Sequence, residues 1–450
     1  MGIYGALSTA VSGLRAQSFA LETISGNIAN SQTIGYKRVE TEFVDLIADA
    51  PVKRQTPGAV LAQSRSTNNV RGDVKAVSNE TYMALNGPGF FVVEPPVGET
   101  DGTTIFAGTN YYTRRGDFDI NREGYLVNGS GYFLKALPID TSTGNISGSV
   151  PQVIQLSNSF LPAEQTSRID YQANLPQQPK NAAFNDGGSG LYTGSAATVT
   201  GAGEADFLEQ SISGGAITTY AENGAPVDVQ MRWAKTANAD AAATPPVLDT
   251  WKLYYLSNSD ATGTTTKWTQ AGGSYTFDAA GAKVTPAATS TTISNLTVNG
   301  VSVGDVELRH GTGGMTQFAD SNGTASVNAS QNGYAAGEFV SVAVNDGGRI
   351  VASYTNGQQV EVGQVVVANF NAVNQLKKLD GGVFAATSES GEASLDMDGD
   401  GVIGSSVESS NTDISEEFTK LIVTQQAYSA GTRIVTTADE MLQEALNMVR

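Results

Sequence analysis

Four apolar residues spaced seven apart, Leu7, Leu14, Leu21 and Ile28, constrain the start of this chain more than any other feature. With Ile3, Val11 and Ile24 between them, they lay a narrow apolar stripe along a helix of about seven turns, a coiled-coil-like seam. Beyond Ile28 the run Ala29, Asn30, Ser31, Gln32 leads to Gly35. Asn and Gly tolerate the left-handed conformation that closes a helix, so the helix is expected to end between Asn30 and Gly35. The same period returns at the other end of the chain in Ile414, Leu421, Tyr428, Val435, Leu442 and Val449, flanked by Phe418, Ile434, Met441 and Met448. Asn411, Thr412 or Asp413 can cap this second helix, and Glu416 and Glu417 put negative charge in its first turn, where the helix dipole favours it. Both stripes need a cover. The pattern allows the arms to pair within one chain as ordinary core, or to be covered by other copies.

Between the arms the chain reads as β. Gly accounts for 50 of 450 residues, and short alternating runs are separated by turn dipeptides. In residues 338–370, Val340, Val342 and Val344 alternate, "NDGG" turns the chain, Ile350, Ala352 and Tyr354 alternate again, and "TNGQ" turns it back, which predicts two consecutive hairpins. Residues 111–137 show short strands punctuated by "NREG" and "NGSG". A chain this long is expected to hold more than one domain. From about 165 to 330 the composition shifts toward Ala, Thr, Gly and Ser, yet all three tryptophans, Trp233, Trp251 and Trp268, lie in that span. A linker has no use for them, so the expectation is an independently cored β domain inserted into a second one. Disorder stays open for residues 181–206, where large apolar residues are sparse. The fold class is thus mainly β with α-helical termini: two β domains, one inserted into the other, plus a paired-helix domain. The expected divisions are 1–32 with 411–450, 33–164 with 331–410, and 165–330.

Charge and absences narrow the function. The formal net charge is −19, and all but −1 of it falls in residues 76–410. An acidic middle opposes binding to nucleic acid or anionic lipid. There is no cysteine, which excludes disulfides, thiolate nucleophiles and thiolate-ligated metal centres. No run of some twenty apolar residues spans a bilayer, and the N-terminus lacks the pattern of a cleaved secretory signal, so no membrane insertion is expected. The single histidine, His310, cannot build a multi-histidine metal site, and an isolated His beside a Gly-rich turn is usually a surface or hydrogen-bonded loop residue. Asp117 and Asp119 share a strand face, but nothing marks them as acid and base. No cofactor motif appears. "DMDGDGVIGSSVE" places Asp396, Asp398 and Asp400 at the first three ligand positions of a calcium loop, with Gly401 at the turn. Val407 stands where the bidentate Glu belongs, so an acidic connection is the favoured reading and no metal site is expected.

The stretch "NIANSQTIGYKR" resembles the N-terminal signature of the axial proteins of the bacterial flagellum, rod and hook, with Asn27, Ala29, Asn30, Thr33, Gly35, Tyr36 and Lys37 matching the recurring pattern. "LNGPGFFVV" with "YTRRGDFDINREGYLVNGSGYFL" is similar to the strand module of that family, and residues 411–446 to its C-terminal arm. Residues 331–393 and 220–236 resemble hook subunits within the family. The resemblance implies a structural, non-enzymatic subunit that leaves the cell unfolded through the flagellar export apparatus, without a cleaved signal peptide. It further implies assembly beneath a hook cap as a homopolymer, a curved flexible tube carrying torque from rod proteins at its proximal end to hook–filament junction proteins at its distal end. Under that reading Leu7, Leu14, Leu21, Ile28, Ile414, Leu421, Tyr428, Val435 and Leu442 are mainly intersubunit helix contacts. Isolated helices of this size are marginal in water, so the arms would order on assembly. A distal rod protein is the nearest alternative. A secreted calcium-dependent adhesin would explain Asp396 to Asp400 and the acidic middle but neither helical arm.

Overall fold

The computed structural model describes residues 3–46, 59–100, 103–141, 143–157 and 159–448. The first described helix is Ile3–Ala29 and the last is Ile414–Met448; the described residues between them form strands, turns and short helical pieces. Val449, the last residue of the second heptad row, lies outside the described residues, as does the side chain of Ile3. The helices stop where their caps dictate. Asn30 donates from its backbone to the Gly26 and Asn27 carbonyls, and its side-chain amide returns to the Gly26 oxygen at 2.9 Å, which closes the first helix. Of the three candidate caps for the second helix, Asp413 takes the role: its Oδ1 accepts from the amides of Ser415 at 2.8 Å and Glu416 at 3.2 Å.

The chain divides into two compact units, one of residues 1–158, 340–353 and 359–450, the other of 159–339 and 354–358. In the first, the two helices pack along each other, and the N-terminal one also packs against an antiparallel hairpin of Val39–Leu46 and Ala59–Ser66. The largest sheet of this unit has Gln359–Val365, Phe133–Asp140, Phe90–Glu94, Tyr111–Thr113, Val383–Ala385 and Lys377–Leu379 as neighbours in that order, and among the described residues three two-stranded pairs besides the hairpin are separate from it. The two hairpins expected in 338–370 form, as strands Phe339–Val344, Arg349–Tyr354 and Gln359–Val365. Phe90, Val92, Tyr112, Leu137, Val366 and Phe384 are buried together between the sheet's strands and the loops that cover it.

The inserted unit holds two sheets. One orders Ser290–Val298, Val301–Arg309, Arg168–Asn174 and Met315–Thr316; the other orders Thr198–Thr200, Thr266–Phe277, Asp249–Leu256, Pro226–Ala237 and Ser211–Tyr220. Alternating residues of both sheets meet in a single core that includes Tyr171, Trp233, Trp251, Tyr275 and Phe277. Trp268 is buried in a satellite cluster with Phe207 and Tyr254. Residues 181–206 are built into this unit: Asn181 caps a short helix through its Oδ1, Thr198–Thr200 pairs with Thr266–Phe277, and the Tyr192 ring packs edge-on against Phe207. The disordered reading of that segment is therefore set aside. The unit reaches beyond 165–330 because bridges Leu161 to Gly337 and Glu164 to Tyr334 extend the pairing of its two connecting segments. The 354–358 turn joins it through Asn356, whose amide donates to Ala335 O at 2.7 Å.

Candidate functional site at the junction of the terminal helices

The segment from Asn27, on the last turn of the first helix, to Arg38 ties three parts of one unit together. Asn27, buried on the last turn, donates to Val39 O at 2.8 Å and accepts from Val39 N at 3.0 Å, so a side-chain amide takes the place of a neighbouring strand. The same amide donates to Glu417 Oε2 of the C-terminal helix at 3.0 Å, and Tyr36 donates its hydroxyl to Asn27 Oδ1 at 3.3 Å. Thr33 donates to Asn30 Oδ1, which stiffens the turn between them. Gly35 has φ +67°, and a Cβ there would meet the Arg114 carbonyl carbon at 2.7 Å; only glycine fits both the turn and the approach. Its amide donates to Glu408 O at 2.8 Å.

Lys37 is the centre of the site. Its ammonium reaches Glu408 Oε1 at 2.6 Å and Val70 O at 2.8 Å, and both side chains of the pair are 1% exposed. Glu408 also takes Arg114 Nη1 on its other oxygen at 3.1 Å and the Gly72 amide at 2.8 Å. Burial pushes the Lys37 ammonium below its usual range, with Glu408 pulling it back and Arg114 and Arg71 adding to the depression. Next along the chain, Arg38 donates its amide to Asn411 Oδ1 at 2.7 Å and pairs with Glu416 at 3.0 Å. The Lys378 ammonium stands 4.0 Å over the Tyr36 ring. One short segment thus grips the start of the C-terminal helix and the sheet at once. Glu408, Arg114, Asn411 and Glu417 carry no signal of this role in the sequence, because their partners lie hundreds of positions away.

The helix pair is closed by small and polar residues. The buried row of the N-terminal helix is Ala16, Ala20, Ile24 and Asn27; that of the C-terminal helix is Glu417, Thr424 and Ala438, with half-buried Gly431 in the same heptad series. A Cβ at Gly431 would come within 2.8 Å of Leu14 Cδ2, which shows how closely the helices approach. Of the stripes read from the sequence, Ile24 lies in this seam and Leu14 reaches it at Gly431, while the heptad residues are not fully buried. Leu7, Leu14, Leu21, Ile28, Leu421, Val435 and Leu442 are half-buried, and Ile414 and Tyr428 are exposed. Two further rows of the C-terminal helix face solvent: Phe418 with Ile422, and Val423, Ile434, Met441 and Met448, the latter spaced by whole turns.

Elsewhere the chemistry is structural. His310 is buried, not on the surface: its Nδ1 meets Tyr171 O at 3.2 Å and its Nε2 the Tyr275 hydroxyl at 2.9 Å. Asp117 pairs with Arg115 at 2.7 Å, and Asp119 accepts from Asn79 at 2.9 Å. Asp396 accepts the Asp398 amide within a turn, Asp398 and Asp400 are exposed, and Val407 is buried in strand Ser406–Glu408. Among the described residues no group of three or more His, Asp or Glu is placed to hold a metal ion. No described helix is long and apolar enough to cross a membrane.

Terminal helices paired along each other and tied to the sheet of their own unit by the Asn27 to Lys37 segment point to a structural protein. Four family models match along the chain in order: flagella basal body rod protein at 7–37, the hook protein FlgE/F/G D1 domain at 84–189, the flagellar basal body protein FlaE D2 domain at 205–334, and the basal body rod FlgEFG protein C-terminal region at 404–448. The flagellar hook protein FlgE of Brucella suis is 28% identical over 459 residues, covering 100% of both chains, and that of Salmonella typhimurium is 28% identical over 98% of this chain and 99% of its own. The fold is similar to the crystal structure of Helicobacter pylori flagellar hook protein FlgE2, with a TM-score of 0.52 and 13% identity over 74% of this chain and 99% of that one. These matches run along the whole chain and support a structural subunit of the flagellar hook. The distal rod and adhesin readings are not favoured.

Proposed function

We propose that the chain polymerises with copies of itself through its terminal helices into a curved tube outside the cell, carrying torque between rod proteins and hook–filament junction proteins. Export through the flagellar apparatus and growth beneath a hook cap belong to the same reading. Its main support is the exposed apolar surface of the C-terminal helix: Ile422 is 55%, Ile434 54% and Met441 56% exposed on a helix whose seam is already closed by small residues. Large apolar rows on both flanks of a finished seam suit contact with further helices. A second support is the groove of about 570 Å³ that Leu7, Val11 and Phe19 line with Leu61 of the hairpin. In this reading Leu7, Leu14, Leu21, Ile28, Ile414, Leu421, Tyr428, Val435 and Leu442 serve both the intrachain pair and neighbouring subunits. The helices with the sheet around Lys37 hold the lattice position, and the inserted unit, acidic and Gly-rich, makes exchangeable contacts as the tube bends.

The test is electron microscopy of the full chain under salting-out conditions beside Ile422→Gln and Ile434→Gln together. Curved tubes from the parent and none from the variant, with unchanged far-ultraviolet circular dichroism, is the expected result. Equal tubes from both would overturn the role of these rows. A chain lacking 165–330 is expected to form tubes that bend abnormally, and failure to polymerise would break the division of labour.

A further inference from the structure

The chain contains seven Asn-Gly pairs, a dipeptide in which glycine leaves the approach of its nitrogen to the asparagine side chain unhindered. Six are held. Asn128 accepts from Tyr132 N at 3.0 Å, Asn223 from Ala225 N at 3.0 Å, Asn299 from Ser259 N at 2.7 Å, Asn332 from Arg168 N at 2.9 Å and Asn356 from Gln358 N at 3.0 Å, each through Oδ1. The sixth, Asn322, precedes Gly323, whose amide donates to Asp320 O at 3.2 Å and which is buried against Lys180. Asn86 differs from all of them. Like Asn322 it is exposed and its side chain makes no hydrogen bond among the described residues, but unlike Gly323, Gly87 has no acceptor for its amide there. The backbone on either side is nevertheless fixed: Asn86 N donates to Gly401 O at 2.7 Å, and Arg114 Nη2 donates to Gly87 O at 2.6 Å.

We infer that Asn86 is a self-modification site, converting to aspartate and isoaspartate in the folded protein ahead of the other six pairs. The Gly87 nitrogen, on losing its proton to water, bonds to Asn86 Cγ; the Cγ–Nδ2 bond breaks and ammonia leaves, closing a five-membered imide. Water then opens either carbonyl of the imide. The isoaspartyl product adds a methylene to the main chain between the two anchored points, so Gly87 O leaves Arg114, the residue that also holds Glu408. The modification therefore ages the loop between strands Met83–Leu85 and Phe90–Glu94 and reaches the junction through Arg114.

The test incubates the full-length folded chain in mildly alkaline buffer and follows each Asn-Gly peptide by mass mapping and isoaspartyl-specific enzymatic methylation. Asn86 is expected to convert several-fold faster than any other pair, and the same chain in denaturant to lose that ranking. Gly87→Ala is expected to slow conversion several-fold with an unchanged unfolding transition, since a Cβ at Gly87 meets nothing within 4 Å and its φ is not positive. Another pair converting first in the folded chain, or an unaltered rate in Gly87→Ala, overturns the assignment.

Discussion

The helix pair and the inserted unit solve the burial problem in opposite ways. In the inserted unit the largest side chains are the innermost: Trp233, Trp251, Tyr171 and Tyr275 are fully buried, Trp233 Nε1 donates to the Tyr171 hydroxyl at 2.9 Å, and the Trp251 indole nitrogen is enclosed without a partner among the described residues. In the helix pair the small side chains of Ala16, Ala20, Thr424 and Ala438 share the buried line with Ile24, Asn27 and Glu417, while Ile422, Ile434 and Met441 look outward. The first region completes its own core. The second brings backbones close, fixes their alignment with one buried amide and one buried carboxylate, Asn27 and Glu417, and leaves its apolar area available. Under the proposed assembly, a segment complete alone and a segment that gains partners later call for different placements of the same residue types.

Substitutions can break this contrast, beginning with the most costly. Trp233→Ala should destabilise the inserted unit by about 3–5 kcal/mol, as other large truncations in packed cores do. Denaturant unfolding followed through Trp251 and Trp268 checks it, with the helical circular dichroism signal unmoved. Glu408→Gln should cost the helix-bearing unit a similar amount, about 3–5 kcal/mol, because Lys37 and Arg114 stay buried without their counter-charge. Lys37→Met tests the same cluster from the other side. It leaves the Arg114–Glu408 pair intact, and the Val70 carbonyl keeps the Asn411 side-chain amide at 3.2 Å, so only the bonds of the ammonium itself are lost and a loss nearer about 1–3 kcal/mol is expected in the same denaturant titration. Equal losses from Glu408→Gln and Lys37→Met would mean that the pair, not the shared carboxylate, carries the junction.

Smaller effects sharpen the picture. Burial lowers the His310 pKa below its usual 6.5, aided by Lys283 and opposed by the Tyr171 carbonyl. The unfolded chain therefore binds the proton more readily than the folded one, so stability is full above about pH 6.5 and is lost as pH falls below it. Thermal unfolding read by tryptophan fluorescence should show a falling midpoint from about pH 7 to pH 5, and His310→Gln should flatten that slope. Ile434→Gln is expected to change monomer stability least, by no more than about 0.5 kcal/mol, as for an ordinary surface site, while weakening assembly. A loss of several kcal/mol in the monomer would place Ile434 in the intrachain seam and remove the contrast between the two regions.

Much of the fold is legible in the residues because its signals are local. The 3.6-residue period, the cap at Asp413, the turn at Gly35 and the "NDGG" and "TNGQ" turns each depend on a few neighbours, and each stands where the pattern puts it. The site is legible by half. Asn27, Gly35, Tyr36 and Lys37 stand out as a motif, whereas Glu408 looks like the tail of an acidic loop and Glu417 like a helix-dipole charge. Both are 1% exposed in the structure, paired with residues 371 and 390 positions away.

The sequence alone determined that both ends are helices, that the middle is β, that no cysteine chemistry exists and that one segment carries most tryptophan-driven burial. Period and turn chemistry act over a few residues, and a backbone obeys them wherever it finds itself. Tertiary structure alone decided which face of each helix is covered. Hydrophobicity ranks Leu14 and Leu421 above Ala20, Thr424 and Gly431, but a close approach of two backbones selects the smallest side chains for the line of contact. It also decided that Glu408 would be shared by two cations and that His310 would be enclosed by Tyr171 and Tyr275, since burial depends on which distant segments meet.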